Sequence, residues 1–545
     1  MQSIAPDWPL STPKDPLRQR LWRWGSAKIV GLDAAWTLLQ SATAAPARFQ
    51  AKLLGRILTA NQRSAYGRAH GFDRLHSVAA YQARVPQVDD DTLAPWLAEI
   101  AAGRGQVLTQ DKVLGLQASA GHSGTPRRLP VTASLLRQEG LALRTIMAEW
   151  LQHEPSLLDR PVYLEQPPRL IQAGQADGED DTGAPPWVAD GTTLARGLRR
   201  HLTDSMRIGG GQAEQPDDGA WLQETLPALL EAEQLGLMLV RSPQRLNDLL
   251  QRLEAALPQL LEALPIKRAT GIMTRLERAG SLQARVLWPA LRAIACWQDG
   301  SATAALPQLR RFCADVPLLA APISTQAGTL TLPLRQARPA PLAITSHFFE
   351  FIDLEARRQP PLLAHALRPG GLYLPLLTTA AGLYRYQLNA AVRCSGHWQG
   401  IPLLNYVDRT RPVSRLNDEF LSPYSIQQAL DEVAESLQVA PRFALCVPDL
   451  RQVPHRYVLY LESEAEPATL VRMTEQLEAR LCRDHAYWCG RQAGKLQALT
   501  LVSVVGGWDI YVRVLTGLGL SHWRIAPTAL DLRPVWHEAF TMRPS

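Results

Sequence analysis

The sequence predicts a mixed α/β protein with a large N-terminal domain and a small α/β C-terminal domain, and three observations lead there. The chain has 545 residues, more than a single compact core organises. Apolar residues at helical spacing dominate the first half, and short strand-like runs take over from about Thr329. Last, Asp408 to Arg415 is charged and contains Pro412, and a fresh alternation of helix and strand patterns follows it. The boundary is therefore placed between residues 407 and 408, giving domains 1–407 and 408–545.

The elements follow in order. Asp15 to Ala69 reads as mostly helical, with Leu38, Leu39, Leu53, Leu54 and Ile57 at helical spacing. Val107-Leu108 and Val113 to Leu116 read as short strands around a turn, and Leu135 to Gln152 as a helix. Ala173 to Pro186 and Gly209 to Gly219 are glycine-containing and polar, and are expected to be exposed loops. Leu222 to Leu264 is leucine-rich but carries Pro227, Pro243 and Pro258, which predicts several helices rather than one. Thr329 to Leu334, Phe348 to Ile352, Gly371 to Leu376 and Ala390 to Cys394 are strand candidates. In the C-terminal part, helices are expected over Ser425–Ser436 and Thr469–Cys482, and strands over Phe443–Val447 and Tyr457–Leu461.

Composition removes several classes of function. Hydrophobic residues make up 46% and charged residues 20%, the balance of a soluble globular protein. No run approaches the roughly 18 apolar residues of a membrane span. Met1 to Lys14 holds Asp7 and three prolines without the basic-then-apolar layout of a secretory signal. A soluble cytoplasmic protein is expected, with no membrane partner. The net charge of +6 is spread without a run of five like charges or a basic stripe with interleaved aromatics, so no nucleic-acid partner is expected. Cys296, Cys313, Cys394, Cys446, Cys482 and Cys489 form no Cys-x-x-Cys and read as unpaired thiols, with no metal site. Only six of the 57 basic residues are lysines. That fits a bias in genome base composition, and it leaves few candidates for chemistry that needs a lysine.

The motifs are more specific. Asn61 to Gly67, His70-Gly71-Phe72, Tyr81 to Pro86 and Gly105 to Thr109 occur in order near the N-terminus. Trp288-Pro289-Ala290-Leu291 and Cys296 to Ser301 follow in the middle. Then come His347 to Ile352, Gly382-Leu383-Tyr384-Arg385-Tyr386 and, near the C-terminus, Pro527-Thr528-Ala529-Leu530. Together, from about Phe49 to Leu530, they resemble the Gretchen Hagen (auxin-responsive promoter) acyl-acid amido synthetases, which belong to the adenylate-forming class. The resemblance implies an adenylate-forming fold and ATP with magnesium as cofactors. The implied substrates are a small carboxylic acid, activated as an acyl-adenylate, and an amine or amino acid that attacks it.

Residue by residue, the resemblance assigns nucleotide contacts to Ser119, Gly121, Ser123 and Gly124, to Tyr384 and Arg385, and to Arg409 in the linker. In the phosphate loop Ala120 and His122 stand where the family has hydroxyl residues, although backbone N–H groups can still face an anion. A hydrolase elbow at Gly121-His122-Ser123-Gly124 is excluded, because Thr125-Pro126 follows where a glycine and a helix are needed. The family's metal-binding acid corresponds to Ala327, with Gln326 as a neutral neighbour. Its ribose-binding acid corresponds to Ala390 and its C-terminal lysine to Ala526. Methyl groups neither accept hydrogen bonds nor balance a metal ion, so the expected catalytic positions lack their functional groups. Arg127, Arg128, Arg409 and Arg524 are the cations that would rebuild charge. Two readings stand: an ATP-dependent acid–amine ligase with a divergent site, and a catalytically deficient relative that binds a small acid, an acyl group or a protein partner. Tyr384, Arg385 and Glu350 also admit a purely structural role on their strands, as do His122 and His347 as ordinary hydrogen-bonded histidines.

Overall fold

The computed structural model describes residues 32–118, 128–154, 157, 160–164, 218–240, 242–416, 419–518, 520, 525 and 527–541. The N-terminal helices run Leu32–Ala44, Pro46–Asn61, Ala65–His70, Val78–Arg84 and Asp90–Ala101; the first three fall in or at the end of the stretch expected to be helical, of which residues 15–31 lie outside the described residues, and the last two were not expected. Ser64 caps the third of them, accepting from Gly67 N at 2.9 Å, and Gly71 ends it in the left-handed conformation. Val107-Leu108 is not a strand. It is a buried bend whose neighbouring carbonyls, Gln106 O and Val107 O, accept from Ala65 and Tyr66. These two apolar residues are there for packing, and no strand pairs with them.

β1 (Val113–Ala118) and β2 (Arg128–Thr132) form an antiparallel hairpin that leads into the helix Ala133–His153. The next four strands are β3 (Val162–Leu164), β4 (Leu237–Leu239), β5 (Ala293–Cys296) and β6 (Leu318–Ala320). They make a parallel sheet in that order. The helices Asp218–Glu231, Pro243–Ala263 and Ile266–Ala279 lie between these strands in the chain and pack with them around a leucine-rich core. Of the three prolines in the leucine-rich stretch, only Pro243 starts a helix. Pro227 and Pro258 lie inside helices, and Pro258 faces solvent, where the carbonyl it leaves unbonded can be hydrated. The interruption between those helices is β4. Ala173–Pro186 lies outside the described residues. So does Gly209–Gly219 as far as residue 217, and residues 218–219 belong to a helix.

β7 (Ser324–Thr325) and β8 (Gly328–Thr329) form a tight hairpin, so the expected strand Thr329–Leu334 shortens to one paired end and isolated bridges at Thr331 and Leu334. The large sheet is antiparallel and contains β9 (Ala340–Pro341), β10 (Phe348–Asp353), β11 (Leu362–Leu363), β12 (Leu372–Thr378), β13 (Tyr386–Gln387), β14 (Ala391–Trp398) and β15 (Ile401–Asp408). Its order is β11-β10-β12-β14-β15-β9, with β13 added to β12. β10 and β12 are almost wholly buried, and with the N-terminal helices they form the main core.

Beyond Asp408, the helix Pro423–Leu437 opens with a Ser422/Ser425 capping box and proline at its first position. β16 (Phe443–Asp449) and β17 (Arg456–Glu462) pair antiparallel, and β18 (Thr500–Ser503) adds parallel to β17. The helices Pro467–Leu481 and Gly507–Gly517 cover this small sheet, with separate apolar clusters on its two faces. All six cysteines are free thiols. Among the described residues no helix is long and apolar enough to cross a membrane.

Candidate functional site

The position expected to bind metal sits in the two-residue turn of the β7–β8 hairpin. Ala327 N donates to Thr325 Oγ1 at 3.2 Å, and Ser324 and Thr329 hydroxyls meet at 3.0 Å. Gly328 has φ +150°, and a Cβ there would lie 2.4 Å from His347 Nε2, so only glycine lets the hairpin approach that ring. Ala327 is 2% exposed and belongs to the main apolar core. Gln326 is partly exposed.

Behind the hairpin lies a network the sequence reading did not name. Glu139 accepts from His347 Nε2 at 2.6 Å and from Thr329 N at 3.0 Å through one oxygen, and from the Thr329 hydroxyl through the other. Burial alone would push its carboxyl up. The hydrogen bonds and charge of His347, helped by Thr329, outweigh it and hold the carboxyl below its ordinary value. Gln50 locks the same segment, donating to Ile344 O and His347 O and accepting from Phe349 N. A signal for Glu139 existed: it lies on the stripe of Leu135, Leu136, Ala142 and Ile146 that faces the core. Glu139→Gln keeps the shape but turns an acceptor into a donor facing other donors. A loss of about 1–3 kcal/mol in unfolding free energy is expected from urea titration.

Tyr384 and Arg385 are also held inward. Tyr384 donates to Leu108 O at 2.8 Å and stacks on Tyr66 with ring centroids 5.0 Å apart. Arg385, at φ +50° and 4% exposed, forms a two-pronged ion pair with Glu350 at 3.0 and 2.9 Å. Its remaining Nη1 donates to Gln82 O and Val85 O, both at 2.7 Å. Glu350 is thus a structural ion-pair partner. Gly382, at φ +96°, lets the turn press on Leu108, which a Cβ would meet at 2.6 Å.

Ala390 is 2% exposed in the same main core. Its neighbour Asn389 grips the linker. The Asn389 Oδ1 accepts from Thr410 N and Oγ1 and from Arg411 N at 2.8–3.1 Å. Arg411 then pairs with Asp89 at 3.2 Å, tying the linker to the N-terminal helices. Asp408 is fully buried at the end of β15. It accepts from Arg409 N at 2.7 Å and from Ala529 N at 3.0 Å. Ala529 O in turn accepts from Cys446 N on β16. The carboxylate therefore joins the large sheet to the Pro527–Leu530 segment. Burial pushes its carboxyl up to about 6. Arg409 is partly exposed beside it, and its carbonyl accepts from Tyr424 N.

Ser119, Ala120, Gly121, His122, Ser123, Gly124, Arg127, Arg524 and Ala526 lie outside the described residues, as does the side chain of Arg128. The structure thus brings Asp408, Arg409, Asn389 and Ala390 together around the linker, while Ala327 lies at the separate hairpin beside Glu139. No group of three or more His, Cys, Asp or Glu among the described residues could hold a metal ion. Among the described residues, Ala327 and Ala390 present buried methyl groups, and the nearby Glu139 carboxylate already accepts three hydrogen bonds.

The GH3 family N-terminal domain matches residues 36–160 and the GH3 family central domain residues 340–409. A probable indole-3-acetic acid-amido synthetase of Oryza sativa subsp. japonica is 23% identical, over 86% of this chain and 88% of its own length. A jasmonoyl–L-amino acid synthetase of Nicotiana attenuata is 26% identical over 34% of each chain. Among solved structures, AtGH3.15 acyl acid amido synthetase in complex with 2,4-DB superposes with a TM-score of 0.78 at 17% identity, covering 93% of this chain and 95% of that one. A 2-hydroxyisobutyryl-CoA ligase in the postadenylation state gives 0.52 at 13% identity, covering 91% and 92%. The fold is that of the adenylate-forming ligases, and two separate stretches of the chain are similar to the N-terminal and central domains of the GH3 family.

Proposed function

We propose that this chain is an ATP-dependent acyl-acid amido synthetase, which activates a small carboxylic acid as an acyl-adenylate and joins it to an amine or amino acid. The observation that carries the reading is collinear similarity, through 86% of the chain, to an amido synthetase. In this reading Ser119, Gly121, Ser123 and Gly124 face the triphosphate through their loop, and Arg409 supplies charge at the linker. Tyr384 and Arg385 act from behind, holding the turn that places Asn389 on the linker. Residues 408–545 form the smaller domain.

A second reading is a catalytically deficient relative that binds a small acid, an acyl group or a protein partner. The burial of Ala327 and Ala390 in apolar core favours it. Each lost ligand costs a few kcal/mol of transition-state stabilisation. Pyrophosphate exchange decides between the two, with purified protein, magnesium–ATP, and indole-3-acetate and a 4-substituted benzoate as acids. Acid-dependent exchange above the acid-free blank, with weak ATP binding by calorimetry, is the expected outcome. Exchange indistinguishable from the blank with every acid tested would establish the deficient relative instead.

A further inference from the structure

The helix Pro46–Asn61 turns one side to the core, through Gln50, Leu54, Ile57 and Leu58, and the other to solvent. The outward side holds Arg48, Lys52 and Arg56, four residues apart and all exposed, so their charges form a line roughly 12 Å long on the helix. Exposed Arg63 follows just beyond the helix end. None of the four forms an ion pair with an acid among the described residues. Beside this line runs a second one of small exposed residues, Ala51, Gly55 and Thr59. Nothing lies within 4 Å of the place a Gly55 Cβ would take.

Helix stability does not account for this pattern. Like charges four residues apart destabilise a helix, and Arg48 stands in the first turn, near the positive end of the helix dipole. The helix has no acid to offset them and no side-chain N-cap. Among the described helices of ten or more residues it is the one that carries cations without an acid; the others mix the two signs or hold acids alone. An ordinary solvated face intersperses both signs. The buried side anchors the helix, and the charges of its outward side answer to a different constraint.

We infer that this face docks an acidic helix of a protein partner. Carboxylates four residues apart on a helix repeat at roughly the same 6 Å as Arg48, Lys52 and Arg56, so one partner helix meets all three cations at once. The ridge of Ala51, Gly55 and Thr59 admits that helix closely, near the ~8 Å lower end of interaxial distances. A lipid surface fits less well, because the exposed side has no bulky apolar residue to insert. Nucleic acid fits less well too, because the exposed residues of the helix include no aromatic ring to stack on a base.

The test is fluorescence anisotropy with the full chain and a labelled helical peptide that has glutamate at every fourth position between alanines. In about 50 mM salt the peptide should bind with a dissociation constant on the order of 10–100 µM, and in about 300 mM salt at least tenfold more weakly. The triple variant Arg48→Glu, Lys52→Glu and Arg56→Glu should lose at least thirtyfold in affinity. Gly55→Phe adds a ring in open space and leaves every charge in place, and it should weaken the peptide at least fivefold. All four substituted positions are exposed, so both variants should keep the wild-type circular dichroism. A peptide with two of its alanines replaced by proline, which breaks its helix, should bind at least fivefold more weakly than the intact one. No binding of the helical peptide at about 1 mM in low salt, full affinity in either variant, or equal binding of the proline-broken peptide would overturn the proposal. Tighter binding of a short oligouridylate or of phosphatidylserine vesicles than of the peptide would overturn it as well, in favour of a nucleic-acid or lipid surface.

Discussion

Replacing Arg385 with alanine is expected to lower the unfolding free energy by about 3–5 kcal/mol, the range for removing one partner of a buried ion pair. Glu350 is 1% exposed, and it would be left buried with only Gln82 Nε2, at 2.9 Å, still donating to it. The carbonyls of Gln82 and Val85 would lose their donor as well. Arg385→Lys should recover only part of the loss, because an ammonium cannot span both Glu350 oxygens and both carbonyls. The readout is the shift of the urea-unfolding transition of each variant, with Glu350→Gln and the double variant closing a cycle. A loss under about 1 kcal/mol would mean that the pair is dispensable. The guanidinium would then be available to a nucleotide, as the resemblance alone implies.

That contrast shows where sequence reading stops. The residues Tyr384-Arg385-Tyr386 were legible as a motif, and their strand neighbours β10, β12 and β14 were legible from apolar runs. Which way the arginine turns was not, because Glu350, Gln82 and Val85 are 35, 303 and 300 residues away. The same holds for Glu139 and His347, which meet across 208 residues. The C-terminal helices Pro423–Leu437 and Pro467–Leu481 and the strands β16 and β17 were read to within a few residues, since their periodicity is sustained, while β18 and the helices from His485 onward were not named. The parallel sheet was missed because β3, β4, β5 and β6 are three or four residues long, too short for a periodic signal. Val107-Leu108 was misread for the opposite reason: two adjacent apolar residues look like strand wherever packing buries them. At the candidate site, Ala327 and Ala390 could be named from motif position. That both face apolar core rather than an open cavity is a property of the packed fold.

Asp408 provides the last expectation, a pH dependence with a definite sign. Its carboxyl is raised from an ordinary 3.8 to about 6 in the folded chain. Between those values the folded chain holds a proton that the unfolded chain has released. This group's contribution to stability is therefore fully present below the unfolded value and is lost as pH rises through about 6. A shift of about two units corresponds to roughly 3 kcal/mol at 1.36 kcal/mol per unit. Glu139 and Asp449 are shifted the other way, Asp449 by hydrogen bonds from Arg451, so the wild-type curve alone mixes opposite slopes. The difference between wild type and Asp408→Asn isolates the one group. Asparagine keeps an oxygen for either Arg409 N or Ala529 N, loses the other bond, and does not titrate. The wild type should therefore gain on the variant by up to about 3 kcal/mol as pH falls from 7 towards 4, measured by urea unfolding at each pH. A flat difference would mean that the carboxylate is hydrated in the folded chain. A tilted one places a titrating contact at the junction of the large sheet with the Pro527–Leu530 segment. Mild acid would then relieve the burial cost of the charge at that junction, while the protonated carboxyl would accept more weakly from Arg409 N and Ala529 N.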